Sequence, residues 1–344
     1  MKRSILIALL IASTSSASGD VWKRAVEPEP VTDVYDALMQ KGDDAAVAAN
    51  SQSNSMATTL RQVEISAEAY RAAAKAKPRS AEPHFRIGSL LYSFFFDCDR
   101  QGGFSVPPIT CGAKAKDARG RDTLEAWDTF EALAPLDPRI NQLLMARAIL
   151  RTKMVGTMPN PKALLEAAAK DYQALLDRDD GLLRLDQGGR VLVLGNLAET
   201  HMMLGQIEKA IDTYEVARRY GARGSTLLGL AVALDRDERG PEALRLIREL
   251  GVENFNNFQI EFESKNVFFV PEGEEHYYFA LGHEAFGETV LAIEHWRLFI
   301  RSGAHPQFQP RAKERLDKLL ARRNIRFEIP VPDLGNKPTP KLRK

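Results

Sequence analysis

The stretch Asn196–Ala222, "NLAETHMMLGQIEKAIDTYEVARRYGA", decides the fold. It places small residues at Ala198, Gly205, Ala210 and Ala217, with bulky apolar residues between them. Two helices can approach closely only where one presents Ala or Gly and the other fills the space with a large side chain. We therefore expect Ala198 on a first helix, Ala210 on a second helix and Gly205 in the turn between them.

The same pattern recurs along the chain. A small residue is followed by an aromatic residue or Ile four positions later and by an apolar residue three positions after that, and such offsets share one face of a helix. The small residues of the six copies are Ser66, Ala126, Ala168, Ala210, Ala243 and Ala292, and the residues four positions later are Tyr70, Phe130, Tyr172, Tyr214, Ile247 and Trp296. First-helix alanines also return at Ala231 and Ala280. The sequence thus predicts an all-α protein built from repeated helical hairpins.

Two segments carry a resemblance to a known family. "AEPHFRIGSLLY" (Ala81–Tyr92) matches a first helix, and "LGQIEKAIDTYEVA" (Leu204–Ala217) matches a turn and second helix. Pro78 and Pro138 stand where such units close. With these residues the chain resembles the tetratricopeptide-repeat (TPR) family, whose helix–turn–helix unit has small residues at fixed sites. The resemblance implies a helical solenoid, or superhelix, over residues 57–323, with the charged amphipathic helix Phe308–Arg323 closing its end.

Three insertions interrupt this regular pattern, at residues 93–123, 152–162 and 252–275. The third alternates apolar and polar residues around Phe258, Ile260 and Phe262, and the apolar run Val267–Val270 follows. Strict alternation is typical of a half-buried strand, so we expect a small β-hairpin there.

The two ends of the sequence differ from the repeats. Residues 1–18 combine Lys2 and Arg3, an apolar run and a small-residue exit, which is the pattern of a signal peptide. We expect export to the periplasm or secretion, in a bacterium. Residues 19–56 are expected to be partly ordered, and residues 324–344 form a basic, Pro-rich tail.

Cys98 and Cys111 are the two cysteines of the chain, and both lie in the first insertion. In an oxidising compartment we expect one disulfide bond between them, and the alternative is a pair of unpaired thiols. We also weigh a ligand-binding or enzymatic site built from this insertion on the repeat scaffold, and surface tethering through the basic tail.

Motifs for chemistry fail on their spacing. "HEAFGE", from His283, lacks the second His of a zinc helix because that position is Gly287. "DCDRQG", from Asp97, opens like a calcium loop, but the twelfth position that needs an acid is Pro108. Basic and acidic residues nearly cancel, 47 against 46, which disfavours nucleic acid as a partner. We expect no enzyme activity, no cofactor, no metal and no membrane span.

The resemblance implies a function as an interaction scaffold. Members of the family bind a peptide or helix in the concave groove lined by the first helices, here a segment of another protein of the cell envelope. Carried over position by position, the groove candidates are Phe85, Ser89, Tyr92, Glu199, Met202, Met203, Leu228, Val232, Asp235, Arg236, Tyr277, Leu281 and Glu284. The alternative is that these residues pack against the inserted segment Phe255–Phe269. The oligomeric state is left open.

Overall fold

The computed structural model describes residues 33–51, 54–97, 113–155, 161–178, 186–263 and 272–327. Within these ranges the regular structure is helical, with fourteen α-helices and no strand. The chain divides into two compact units, Met1–Pro83 and His84–Lys344.

The first unit contains a helical hairpin of α1 (Val34–Ala49) and α2 (Met56–Ala76). The hydroxyl of Ser66 donates to the carbonyl of Gly42 at 2.8 Å. The ring of Tyr70 lies so close to Gly42 that an added Cβ would come within 2.4 Å of it. The hairpin therefore depends on a glycine facing a ring, as the sequence pattern around Ser66 predicts.

The second unit holds the remaining helices, of which α3 begins just before the unit boundary. Their bounds are α3 (Glu82–Asp97), α4 (Ala113–Leu133), α5 (Ile140–Lys153), α6 (Pro161–Asp177), α7 (Gln187–Met203), α8 (Ile207–Arg219), α9 (Ser225–Arg236), α10 (Gly240–Leu250), α11 (Val252–Glu263), α12 (Glu275–Ala285), α13 (Thr289–Ser302) and α14 (Gln309–Phe327). A single 3-10 turn, Pro306–Phe308, precedes α14.

The helices of this unit pack as hairpins in chain order. The pairs α5/α6, α7/α8, α9/α10 and α12/α13 have the most extensive contacts, and α6/α7, α8/α9 and α13/α14 join successive pairs. Between α3 and α4, Phe85 lies against Phe130 and Tyr92 against Trp127, each with ring centroids 5.1 Å apart. The described chain is thus consistent with the helical hairpins that the sequence predicts.

The predicted small residues occupy the helix contacts. All six of them are buried, with at most 6% of their surface exposed, and the six residues four positions later are exposed by 2% or less. The apolar residue three positions after the ring is not buried in every copy, since Leu133 is exposed. Each small side chain leaves room for the ring or Ile of its own helix to reach the neighbouring helix.

Three turns have the same backbone geometry. Gly205, Glu238 and Gly287 follow α7, α9 and α12 with positive φ values of 73°, 62° and 79°. In each turn the next residue donates its N–H to the carbonyl five positions earlier at 2.9 Å, the six-to-one bond of a Schellman motif. The repeat is therefore structural as well as sequential. Glu238 adopts the left-handed region that glycine occupies in the other two turns.

The predicted β-hairpin is wrong for the part of residues 252–275 that the structure describes. Residues 252–263 form α11, and Phe255 and Phe258 are buried on one face of it. The three Phe residues at 255, 258 and 262 have the spacing of a helix face, and this spacing outweighs the alternation. Val267–Val270 lie outside the described residues.

Other boundaries differ in detail from the expectations. Helices extend into the first insertion from both sides, to Asp97 and from Ala113, and Cys98 and Cys111 lie in the undescribed range 98–112. The second insertion falls between Lys153 and Pro161, close to its expected position. Helix α1 lies in the segment expected to be partly ordered. The predicted signal peptide and residues 328–344 lie outside the described residues.

Replacing Ala210 by Leu tests the close contact of the helices. Ala210 has no exposed surface, so the added atoms must displace neighbours, and we expect the free energy of unfolding to fall by about 1–3 kcal/mol. The measurement is urea unfolding followed by circular dichroism. Asp212→Leu, at an exposed position of the same helix, is the control and should change stability by less than about 0.5 kcal/mol. Equal effects of the two variants would contradict the assigned register.

Replacing Glu238 by Gly tests the equivalence of the turns. The left-handed conformation costs a residue that has a side chain about 1–2 kcal/mol, and glycine avoids this cost. The greater conformational freedom of glycine in the unfolded state offsets part of that gain. We therefore expect thermal unfolding to show a net stabilisation of about 0.5–1 kcal/mol. Asp237→Gly, at φ −86°, is the matched control and should destabilise the chain. A loss of stability in both variants would contradict the backbone strain assigned to Glu238.

Candidate functional site

The predicted groove residues are mostly buried in the structure. Nine of them, Phe85, Met202, Met203, Leu228, Val232, Asp235, Arg236, Tyr277 and Leu281, have at most 8% of their surface exposed. Ser89, Tyr92, Glu199 and Glu284 are partly buried. The structure brings together Asp235, Arg236, Tyr277 and Glu284, whereas Phe85 and Tyr92 of α3 belong to the separate contact with α4. In the described chain these positions serve packing and an ionic network.

Arg236 and Glu274 form the most deeply buried ion pair of this network. Nη2 of Arg236 lies 2.6 Å from Oε1 of Glu274, and neither side chain has exposed surface. The guanidinium also lies over the rings of Tyr277 and Phe308, 4.4 and 4.0 Å from their centroids. The second carboxylate oxygen of Glu274 lies 3.0 Å from Nδ1 of His305.

This environment changes the ionisation of Glu274. Burial alone would raise the pKa of its carboxyl, but the charge of Arg236 and the hydrogen bond with His305 hold that pKa below its ordinary value. The carboxylate therefore stabilises the fold above its unfolded pKa of about 4.5, and this contribution is lost as the pH falls through the lowered folded pKa.

Asp235 connects three helices that are distant in sequence. Its carboxylate accepts from the hydroxyl of Tyr277 on α12 at 2.8 Å. The other oxygen lies 2.8 Å from Nη2 of both Arg311 and Arg315 on α14. Gly240, at the start of α10, leaves space for this arrangement, because an added Cβ would lie 2.8 Å from Arg311 and 3.0 Å from Arg315.

Two further glutamates belong to the same region. Glu199 on α7 accepts from the hydroxyls of Tyr214 and Tyr278 at 2.8 and 2.7 Å. Burial raises the pKa of Glu199, and the nearby charge of Glu274 adds to the shift. Glu284 lies 3.1 Å from Nη1 of Arg315, yet burial raises its pKa as well. Both carboxyls are therefore less acidic than exposed glutamates.

Two helices outside the regular hairpins contact α12. Phe258 of α11 stacks on Tyr278, and Phe255 meets the edge of His283, with ring centroids 5.8 and 5.1 Å apart. Helix α14 contributes Arg315, which pairs with Glu284. Tyr278 and His283 are not among the predicted groove positions, so these contacts of α11 leave the packing alternative raised for the inserted segment as a prediction.

A second ionic cluster lies between α4, α5 and α6. Arg147 pairs with Asp171 at 2.8 Å, with Asp128 at 2.8 Å and with Glu131 at 2.6 Å. Arg151 also pairs with Asp171. This cluster joins three consecutive helices, whereas the network around Asp235 joins helices that are distant in sequence.

Three histidines stack beside the network. The ring of His295 lies between His276 and His283, with centroids 5.2 and 5.3 Å away. Burial, with smaller contributions from His283 and His276, lowers the pKa of His295 to about 4. Because the unfolded chain then binds the proton more readily, folding loses stability as the pH falls from about 6.5 towards 4. No group of three His, Cys, Asp or Glu side chains in the described ranges is arranged to hold a metal ion.

The outer side of α13 carries an open groove. It has a volume of about 590 Å³ and runs between α13 and α14. Its lining is Val290, Ile293, Glu294, Arg297, Ile300, Arg301 and Leu316. Val290 is 62% exposed and its neighbour Leu291 is also exposed. This groove, unlike the predicted one, presents apolar surface and guanidinium groups to solvent.

Comparison of the sequence with protein-family models and with curated proteins found no match. No helix within the described residues combines the length and the apolar character that crossing a membrane requires.

The sequence interpretation missed both the network on α14 and the outer groove. The sequence predicts Phe308–Arg323 as a charged amphipathic helix without singling out Arg311 or Arg315, and both pair with Asp235. Their separation of four residues was the available signal, because it places two cations on one face. The apolar residues Val290, Leu291 and Ile300 on α13 were the corresponding signal for the groove.

Replacing Arg236 by Met tests the buried ion pair. Glu274 would keep a buried charge without its guanidinium partner, and we expect the free energy of unfolding to fall by about 3–5 kcal/mol in urea titrations. Arg239→Met is the matched control, since Arg239 pairs with Glu242 at the surface and should contribute less than about 1 kcal/mol. The double variant Arg236→Met/Glu274→Met should recover part of the loss, and a further loss would contradict the explanation.

Proposed function

We propose that this chain is an exported, non-catalytic helical-repeat protein of the TPR type that acts as a scaffold or adaptor for another protein of the cell envelope. The observation that carries the proposal is the recurring hairpin, in which six small residues and six large ones are buried at equivalent helix contacts. Stacked hairpins of this kind present extended surfaces for binding peptides and helices.

The contacts that link the last hairpins to one another support a scaffold role. Asp235 links α9, α12 and α14, and Arg236 fixes Glu274 immediately before α12. Preorganised surfaces bind partners with less loss of conformational freedom. The buried side chains of the network are used within the chain, so we assign partner binding to the exposed surface.

The compartment follows from the first residues of the sequence. Residues 1–18 have the charged start, apolar run and small-residue exit of a signal peptide. The partner of the proposed scaffold is therefore a protein of the periplasm or another part of the envelope. This places the expected Cys98–Cys111 disulfide in an oxidising compartment, where such a bond persists.

In-cell crosslinking tests the proposal. We expect the epitope-tagged full chain to be recovered from the envelope fraction, processed near residue 18, in a crosslinked complex with one or a few proteins. The measurement is affinity purification followed by mass spectrometry of both the complex and the processed N-terminus.

A chain lacking residues 2–18 is the matched control. It should remain unprocessed in the cytoplasm and lose the crosslinked partner. Recovery of the full chain alone, both with and without crosslinker, would contradict the scaffold function. Recovery of the same partner from the cytoplasmic control would contradict the assigned compartment.

A further inference from the structure

The groove between α13 and α14 lies at the last helix contact that the structure describes. Each of α5, α7, α9 and α12 is followed by a second helix that packs against it. Helix α14 packs on α13 as α9 packs on α8, so it takes the place of a next first helix. In the described ranges no second helix follows α14.

The outer side of α13 is more apolar than the equivalent side of another second helix. Aligning Ala292 with Ala210 matches Val290, Leu291 and Ile300 of α13 with Glu208, Lys209 and Arg218 of α8. Val290 and Leu291 are both exposed in the described structure. Three polar positions of an ordinary outer face are therefore apolar here, which is typical of a surface that another element covers.

The charged residues that line the groove indicate which kind of helix would bind there. Arg297 and Arg301 are exposed, are one helical turn apart and line the groove. Neither makes an ion pair or hydrogen bond with the described residues. A guanidinium pair beside an apolar floor suits a helix with an apolar face flanked by Asp or Glu, because each Arg can bind a carboxylate in bidentate fashion. Glu294, at the same rim, favours a neutral or basic residue at one end of that helix.

We propose that the groove between α13 and α14 docks an amphipathic helix of a partner protein, with its apolar face on Val290, Ile300 and Leu316 and its acidic flank on Arg297 and Arg301. This rests on the proposed scaffold function and names the chemistry of the partner. The docked helix uses the helix-in-groove mode of peptide recognition.

The direct test uses a designed helical peptide and the full chain. The fluorescein-labelled peptide carries Leu at helical spacing on one face and Glu on both flanks, and a matched peptide carries Lys in place of every Glu. Fluorescence anisotropy measures the dissociation constants. We expect the Glu peptide to bind the wild-type chain, with an affinity that falls as salt increases, and the Lys peptide to bind at least tenfold more weakly.

Charge reversal in the chain provides the matched variants. Arg297→Glu/Arg301→Glu should weaken binding of the Glu peptide at least tenfold and strengthen binding of the Lys peptide. Arg219→Glu/Arg223→Glu makes the same change of charge at exposed positions of the same unit and should leave both affinities unchanged. Val290→Asp should also weaken binding, whereas Val252→Asp, at another exposed valine, should not. Circular dichroism verifies that every variant is folded.

Several outcomes would overturn the groove proposal. These are no binding of either peptide, an equal loss of affinity for the Glu peptide in the two double-Arg variants, or no preference of the wild-type chain for the Glu peptide. Binding that appears only after truncation following Phe327 would assign the groove to the chain's own tail. Self-association of the wild type that Val290→Asp abolishes in sedimentation experiments would assign it to a second copy.

The failure of this proposal is distinguishable from failure of the scaffold function. If the partner crosslinked in cells is retained by the Arg297→Glu/Arg301→Glu variant, the scaffold function stands and the groove is not its site. If the wild type has no partner in cells, the scaffold function fails whatever the designed peptides do.

Discussion

The close approach of neighbouring helices, in which a ring on one helix packs against a glycine on another, is the constraint on which the rest of the structure depends. Tyr214 shows it most clearly, because it reaches across to Gly229, where an added Cβ would lie 2.4 Å from the tyrosine hydroxyl. Gly42 accommodates Tyr70 in the same way, and Gly282 accommodates Phe255. Close packing of this kind fixes which helices are neighbours, and hence which polar groups meet.

The buried charges depend on that packing. Arg236, Arg311 and Arg315 face Asp235, Glu274 and Glu284 across helices that the ring contacts have already brought together. Burying six such groups is costly, and their mutual hydrogen bonds offset much of that cost without making the network an obvious source of stability. The network connects α9, α12 and α14 through specific pairs of side chains.

The sequence predicted the hairpins well because their signal is local. The offset from Ala292 to Trp296, or from Ala168 to Tyr172, lies within one helix and can be read from a single chain. The site could not be predicted in the same way. Asp235 and Arg311 are 76 residues apart and meet only because α14 folds back, and α11 was mistaken for a hairpin because its Phe spacing also contains an alternation.

The groove candidates show the same limit. Carrying positions over from a regular repeat assumes that the inner face of the first helices is open, whereas nine of the thirteen positions are buried in the described chain. The TPR assignment stays a prediction that the observed hairpins are consistent with. The outer groove is recognised by exposed apolar residues on α13. Their exposure is known only once the structure shows which face of α13 is buried.

The bonds of Asp235 to α14 also matter for how the chain is made. In a simple repeat array each unit is complete once its neighbour has been synthesised, so the chain can fold progressively from its N-terminus. Here the carboxylate of Asp235 has no guanidinium partner from α14 until Arg311 and Arg315 have been synthesised. A chain that ended before α14 would leave the carboxylate of Asp235 without these two guanidinium partners, and a carboxylate next to packed helices without a counter-charge is costly.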